Sequence, residues 1–310
     1  MRIITTTTFI ALPTLLCPLL ANASPILPND PSVSGSLALW AREAGTNFDG
    51  TTWIDSSGNG NDLILPVGTS PAFTSPTVPT ASTFNATTGA FAGQNVDGIL
   101  FSDSANDLLG TDLTTGSTLS EVTVFLVYSS DASGSGQSSV RPGGIGSPSA
   151  LTGDVNNFHL AADGSLRYDN GNNTGADDPA DELLVRAARF DSGIVTNWQF
   201  TGGTTNITIG PVDNGGSAAN NTSSDQFFLG DVRTGSTTSV AGGGLADSDV
   251  FVSAAIVYTD ALSNDDVESI IDFLALSPVS DPSAIPEPGS ALMIAAGVSM
   301  LSLRRRRGQA

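Results

Sequence analysis

Apolar residues along the chain come in short runs separated by clusters of Gly, Ser, Thr, Asn and Asp, the pattern of strands joined by turns. The strongest run, Glu121-Val122-Thr123-Val124-Phe125-Leu126-Val127-Tyr128, is apolar on both faces from Val124 onward. It predicts a strand in the middle of a packed sheet. Runs at 37–41, 62–65 and 98–101 precede it. Two more, 157–160 and 165–168, flank Ala162-Asp163-Gly164, whose Asp-Gly pair suits a tight hairpin because Gly tolerates positive φ. Runs at 183–190, 195–200, 226–229 and 250–258 complete a set of about ten strands, which predicts an all-β fold built as a two-sheet antiparallel sandwich. No repeat of fixed period is visible, which speaks against propellers and solenoids.

One segment follows the helical period instead. Ser263 can cap Asn264-Asp265-Asp266, and Val267, Ile270, Ile271 and Leu274 then fall at i, i+3, i+4 and i+7. The spacing predicts one short amphipathic helix whose apolar stripe packs on the sandwich, with its early acids at the positive end of the helix dipole.

The two ends of the chain break the β pattern. Arg2, an apolar run from Phe9 to Leu20, and Ala21-Asn22-Ala23 follow the order of a secretion signal, with small residues for the peptidase pockets. Cleavage after Ala23 removes Cys17, the chain's one cysteine, so the mature protein is expected to carry no disulfide. At the other end Pro286-Glu287-Pro288 precedes thirteen apolar or small residues, Ala291 to Leu303, and then Arg304, Arg305, Arg306 and Arg307. Such a helix is about 20 Å long against a hydrocarbon core of roughly 30 Å, so a permanent span is marginal and transient insertion is expected. The arginines would stay cytoplasmic, leaving the large N-terminal part outside.

This order, a Pro-Glu-Pro tripeptide, an apolar helix and a basic cluster, resembles the PEP-CTERM sorting signal of Gram-negative bacteria. The resemblance implies a partner, an exosortase-type processing enzyme that recognises the tripeptide and removes the tail. It implies export to the cell surface or extracellular matrix. The expected organisation is therefore a signal peptide at 1–23, a linker at 24–35, the sandwich at 36–276, a second linker at 277–285 and the sorting signal at 286–310.

Charge narrows the partners. The 310 residues carry 11 Lys+Arg, all of them Arg, against 31 Asp+Glu. Removing both ends leaves six of the arginines against 30 acids, a net charge near −24. A domain so acidic repels nucleic acid and anionic lipid, whose binding depends on clustered cations.

A second resemblance rests on Leu39-Trp40-Ala41-Arg42, on Trp53-Ile54-Asp55-Ser56-Ser57-Gly58-Asn59-Gly60-Asn61-Asp62, and on the closing unit from Phe251 to Leu274. These segments are similar to laminin-G-like, concanavalin A-like jelly-roll domains of bacterial surface proteins. The usual Phe-Asp-Gly segment of that family appears only loosely here, as Val96-Asp97-Gly98.

Candidate chemistry is sparse. Glucanases of this fold carry Glu-x-Asp-x-Glu on one strand, so that alternate carboxylates reach one face. No such string occurs, and outside the ends the glutamates are Glu43, Glu121, Glu182 and Glu268. Asp247-Ser248-Asp249 puts two carboxylates on one face at a strand entrance but reads as a solvated turn. His159 is the one histidine, has no Gly-x-Ser-x-Gly elbow beside it, and reads as a half-exposed strand residue. Pro142-Gly143-Gly144-Ile145-Gly146-Ser147 has no Lys after it and reads as a turn rather than a phosphate loop.

Calcium is the one cofactor the composition permits, since it takes oxygen ligands from Asp, Asn and carbonyls. Asp55, Asn59, Asn61 and Asp62 form the best local cluster, with Asx turns as the competing reading. Trp53 and Trp198 are the candidate platforms for a sugar ring, whereas Trp40, Tyr128 and Tyr258 lie within strands and read as core. The expectation is thus a non-enzymatic, surface-sorted sandwich that binds extracellular polysaccharide or adheres. A glycan hydrolase or lyase with a non-standard carboxylate pair and a ligand-free structural protein are the alternatives.

Overall fold

The structure, a computed structural model, describes residues 26–65, 77–102, 107–113, 119–130, 140–145, 158–160, 166–168, 171–173, 181–201, 204–213, 226–231 and 249–276. In chain order the strands are β1 (Leu37–Ala41), β2 (Thr52–Trp53), β3 (Leu63–Ile64), β4 (Thr80–Asn85), β5 (Asn95–Phe101), β6 (Leu108–Asp112), β7 (Glu121–Ser130) and β8 (Val140–Ile145). They continue with β9 (Phe158–Leu160), β10 (Leu166–Tyr168), β11 (Gly171–Asn173), β12 (Leu184–Asp191), β13 (Ile194–Thr201), β14 (Thr204–Asp213), β15 (Gln226–Asp231) and β16 (Val250–Tyr258). A short helix α1 (Ala44–Asn47) follows β1, and α2 (Asn264–Leu276) follows β16.

These strands make two antiparallel sheets. The first has the order β14-β13-β12-β7-β16-β5-β4, with β1 added beside β16 next to β5; the second has the order β11-β10-β9-β8-β15-β6-β3-β2. β7, apolar on both faces in the sequence, lies between β12 and β16 at the centre of the first sheet. One face of that sheet, with Val122, Val124, Leu126, Tyr128, Phe190 and Val252, packs against Leu63, Leu109, Ile145, Phe227 and Leu229 of the second. The opposite face, with Phe125, Val127, Trp198, Ile256 and Tyr258, is covered by Val267, Ile270, Ile271 and Leu274 of α2. Large side chains buried to this degree each contribute about 1.5–3 kcal/mol. The sandwich is thus three layers deep on one side.

The start of α2 has the expected geometry. Ser263 Oγ accepts from the Asp266 backbone N–H (3.1 Å) and lies 2.8 Å from Asp266 Oδ2. Arg189, on the outer face of β12, donates to Leu262 O (2.5 Å) and to Asn264 Oδ1 (3.1 Å), and its guanidinium stacks 4.9 Å from the Trp198 ring centre. Desolvation there lowers its pKa. Residues 26–35, expected as a linker, lie against the same layer: Ile26, Leu27 and Val33 join the outer core, and Tyr258 Oη donates to Pro28 O (2.5 Å).

Several strands escape the sequence pattern. β4, β6 and β14 are rich in Thr, Asn, Asp or Gly, and β14 and β4 are sheet edges whose outer positions need not be apolar. The Pro-Gly-Gly stretch read as a turn is β8, held between β15 and β9. Tertiary pairing on both sides overrides its local turn chemistry. No helix among the described residues is long and apolar enough to cross a membrane. The sorting and processing residues Ala23, Pro286, Glu287, Pro288, Arg304, Arg305, Arg306 and Arg307 lie outside the described residues, as does the linker 277–285.

Candidate functional site

Two polar regions stand out against this apolar frame. The first is the loop after β2. Asp55 is almost wholly buried, and its carboxylate accepts four hydrogen bonds. Oδ1 takes Trp40 N (2.9 Å) and Ser57 N (2.8 Å), while Oδ2 takes Ser57 Oγ (2.6 Å) and Asn61 N (3.1 Å). Asp62 Oδ1 accepts from Asp55 N (2.8 Å). Asn59 Nδ2 donates to Leu37 O (2.6 Å) and Asn61 Nδ2 to Ala38 O (2.8 Å). Gly58 and Gly60 hold φ of +86° and +77°, which lets the loop fold back on itself; side-chain-bearing residues rarely adopt that geometry.

The four candidate calcium ligands are therefore brought together, but the arrangement does not fit a cation. An ionised carboxylate offers about four lone-pair sites, and on Asp55 all are occupied by N–H or O–H donors. The two Asn side chains aim their N–H groups at carbonyls of β1. Among the described residues no three acidic, His or Cys side chains converge as a metal site.

The second region is on the interlayer face of β12 and β13. Arg186 is paired across the ladder with Leu126, and Ala188 and Phe190 share its side of the strand, so it points between the sheets. Its partner on β13 is Gln199, and Asn197 stands opposite Ala188. Arg186 and Asn197 are fully buried and Gln199 nearly so, beside the equally buried Tyr128 of β7. Directly opposed side chains in such a ladder lie about 5 Å apart, and diagonal ones about 7–8 Å. One guanidinium, two carboxamides and a phenol thus share one patch within an otherwise hydrocarbon layer.

Such a patch is expensive to build. A buried amide or hydroxyl costs about 1–3 kcal/mol unless hydrogen-bonded, and a buried guanidinium more. Chemically the patch holds planar polar groups, both donors and acceptors, in fixed directions within the interlayer.

The sugar-platform expectation is corrected. Trp53 and Trp198 are both fully buried: Trp53 packs in the interlayer core with Nε1 donating to Arg42 O (3.0 Å), and Trp198 lies on the outer face among the residues that pack against α2. Neither presents a ring face to a ligand. His159 lies in β9, in register with Gly144 and Arg167. Asp249 stands at the entrance to β16, while Asp247 lies outside the described residues.

The sequence passed over Arg186, Asn197 and Gln199. A signal was present: Leu184, Arg186, Ala188 and Phe190 alternate on one side of a strongly apolar strand, which places a charge at a core position.

The fold is an antiparallel two-sheet β-sandwich. Among solved structures, the chain is similar to a GH54 α-L-arabinofuranosidase soaked with 4-nitrophenyl α-L-arabinofuranoside, at 17% identity and a TM-score of 0.51, over 76% of this chain and 54% of that one. An arabinofuranosidase complexed with arabinofuranosyl-α-1,2-xylobiose matches at 15% identity and TM-score 0.49, over 73% and 50%. Trypanosoma rangeli sialidase matches at 12% and 0.46, over 79% and 34%. The chain therefore spans about half the length, or less, of these structures. No protein-family model matches the chain, and no curated protein is significantly similar to it.

At 17% identity the likeness defines the fold. The expectation of a non-enzymatic protein is corrected on this match, since the solved structure that shares the fold is an α-L-arabinofuranosidase. The missing Glu-x-Asp-x-Glu string excludes one layout of carboxylates on one strand, and nothing wider.

Proposed function

We propose that this chain is an exported, surface-sorted glycan hydrolase of the concanavalin A-like jelly-roll type, with its site built over the polar patch of β12 and β13. The observation that carries the reading is the fully buried Arg186 and Asn197, with Gln199 beside them, in an apolar interlayer. Polar groups set at core positions of a strand are found where a site needs fixed dipoles. In this reading they form the floor beneath a bound glycan, orienting the groups that touch it. The resemblance in fold to an arabinofuranosidase makes arabinofuranosides the first substrates to try.

The address rests on residue order at the ends, Arg2 to Ala23 and Pro286-Glu287-Pro288 through Arg307. The partners in this reading are an exosortase-type enzyme, which removes the tail, and an extracellular polysaccharide, which is the substrate. Transient insertion of the apolar tail in the inner membrane precedes its removal.

The test is hydrolysis by the mature chain, residues 24–285, on a panel of aryl glycosides and soluble polysaccharides beginning with arabinofuranosides. Release of sugar that Arg186→Met or Asp249→Ala abolishes supports the reading. Binding without turnover across the panel contradicts it.

A further inference from the structure

The loop that does not fit calcium occupies a definite place: the free edge of β1. This strand pairs with β16 on one side, through Leu37↔Tyr258 to Ala41↔Ala255. On its other side lies Asp55, which bridges Ala41, and the loop that follows it. There the strand's polar groups are met one after another. Trp40 N–H donates to Asp55 Oδ1 (2.9 Å), and Trp40 O accepts from Ser56 N (2.8 Å). Leu37 O and Ala38 O accept from the side chains of Asn59 and Asn61. Each of these is a bond that a neighbouring strand would otherwise supply.

We propose that Asp55 to Asp62 is a metal-free cap in which one carboxylate and two carboxamides stand in for a missing strand along the edge of β1, so that the edge is closed to strand addition by another chain. An unpaired strand edge is a template for association, and proteins close such edges with bulges, charges or covering loops. The sequence fits that task residue by residue. Asp is acceptor-only, which suits a site ringed by four donors, and Asn at 59 and 61 brings the N–H groups that β1 carbonyls require. Between them Gly58 and Gly60 supply the positive φ that turns each Asn back toward the strand. Asp62 in turn fixes Asp55 through its backbone N–H. A calcium ion would need those same oxygens and would displace the donors from them.

The proposal stands apart from hydrolysis and is tested without it. In the purified protein, the Tm of the wild type is expected to move by less than about 1 °C between millimolar calcium and chelator. Asp55→Asn, which sets N–H groups against the donors, is expected to lower Tm by roughly 5 °C or more, equally in both buffers. The milder double variant Asn59→Ala/Asn61→Ala leaves the buried carboxylate in place. It is expected to raise amide exchange across residues 37–41 by about tenfold and to associate at concentrations where the wild type is monomeric by light scattering. A calcium-dependent rise in wild-type Tm that Asp55→Asn abolishes would overturn the metal-free cap. Unchanged exchange at β1 and an unchanged monomer in the double variant would overturn the edge-closing role.

Discussion

The loop of Asp55 and the patch of Arg186 solve opposite problems with the same kinds of atoms. Around Asp55 every carboxylate lone pair meets a donor from the loop or from β1, so burial of a charge is compensated on the spot. At Arg186 the neighbours across the ladder are Leu126 and Gln199, with Asn197 one step along, and the patch faces a layer of hydrocarbon. The first arrangement holds a strand edge; the second holds polar groups in a place where packing alone would choose Leu or Met. Polar burial therefore has two meanings in this protein. One closes a strand edge; the other places polar groups between the sheets, where the proposed function puts the floor of a glycan site.

The comparison breaks most sharply at Asp55. Asp55→Ala leaves four donors around an empty site and is expected to destabilise by about 3 kcal/mol or more, a fall in Tm of roughly 6–12 °C. Chemical denaturation measures it directly. A loss below about 1 kcal/mol would place the loop among ordinary solvated turns.

Arg186→Met should behave in the opposite sense. Met keeps a chain of similar length in the interlayer, so Tm should fall by less than in Asp55→Ala. Turnover of the preferred glycoside should fall by about 100-fold or more, worth roughly 2.7 kcal/mol. A large fall in Tm with activity per folded molecule retained would move Arg186 to the structural side.

Tyr258 lies between the two cases, as a buried hydroxyl with one named acceptor, Pro28 O. Tyr258→Phe should cost about 1 kcal/mol. Burial, with the nearby charge of Asp266, raises the phenol's pKa above its ordinary 10.0. Its contribution is therefore complete below pH 10 and declines above it, because the unfolded chain ionises first. Denaturation from pH 9 to 11 should show part of the alkaline slope lost in the Phe variant. Smaller again is Ser263→Ala, which removes the cap of α2 and should cost about 1 kcal/mol or less.

The same contrast explains what could be read in advance. β7, β16 and α2 follow from their apolar runs and spacing, since burial on both faces or on one stripe writes itself into local order. The Asp55 loop is visible as a polar turn cluster, yet residue types alone suit calcium and hydrogen-bond donors equally well. What decides is the direction of each Asn amide and the proximity of β1, which are tertiary facts. Trp53 and Trp198 show the same limit, because an indole in a short run reads as exposed until the layer covering it is known. Arg186 and Arg189 look equivalent in Leu184-Val185-Arg186-Ala187-Ala188-Arg189-Phe190. Only the pairing with β7 and β13, and the helix packed on the opposite face, sends one between the sheets and the other to the cap of α2. β14 was invisible for a related reason: Ile207, Ile209 and Val212 are spread among Thr, Asn, Gly and Pro at a sheet edge and form no continuous apolar run.

The most direct test of the account is hydrolysis of an aryl arabinofuranoside and a panel of related glycosides by the mature chain, compared with Asn197→Leu at matched Tm. The account predicts turnover by the wild type and a loss of about 100-fold or more per folded molecule in the variant. Equal turnover by the two proteins, or a wild type that releases no sugar from any glycan tested, would contradict it.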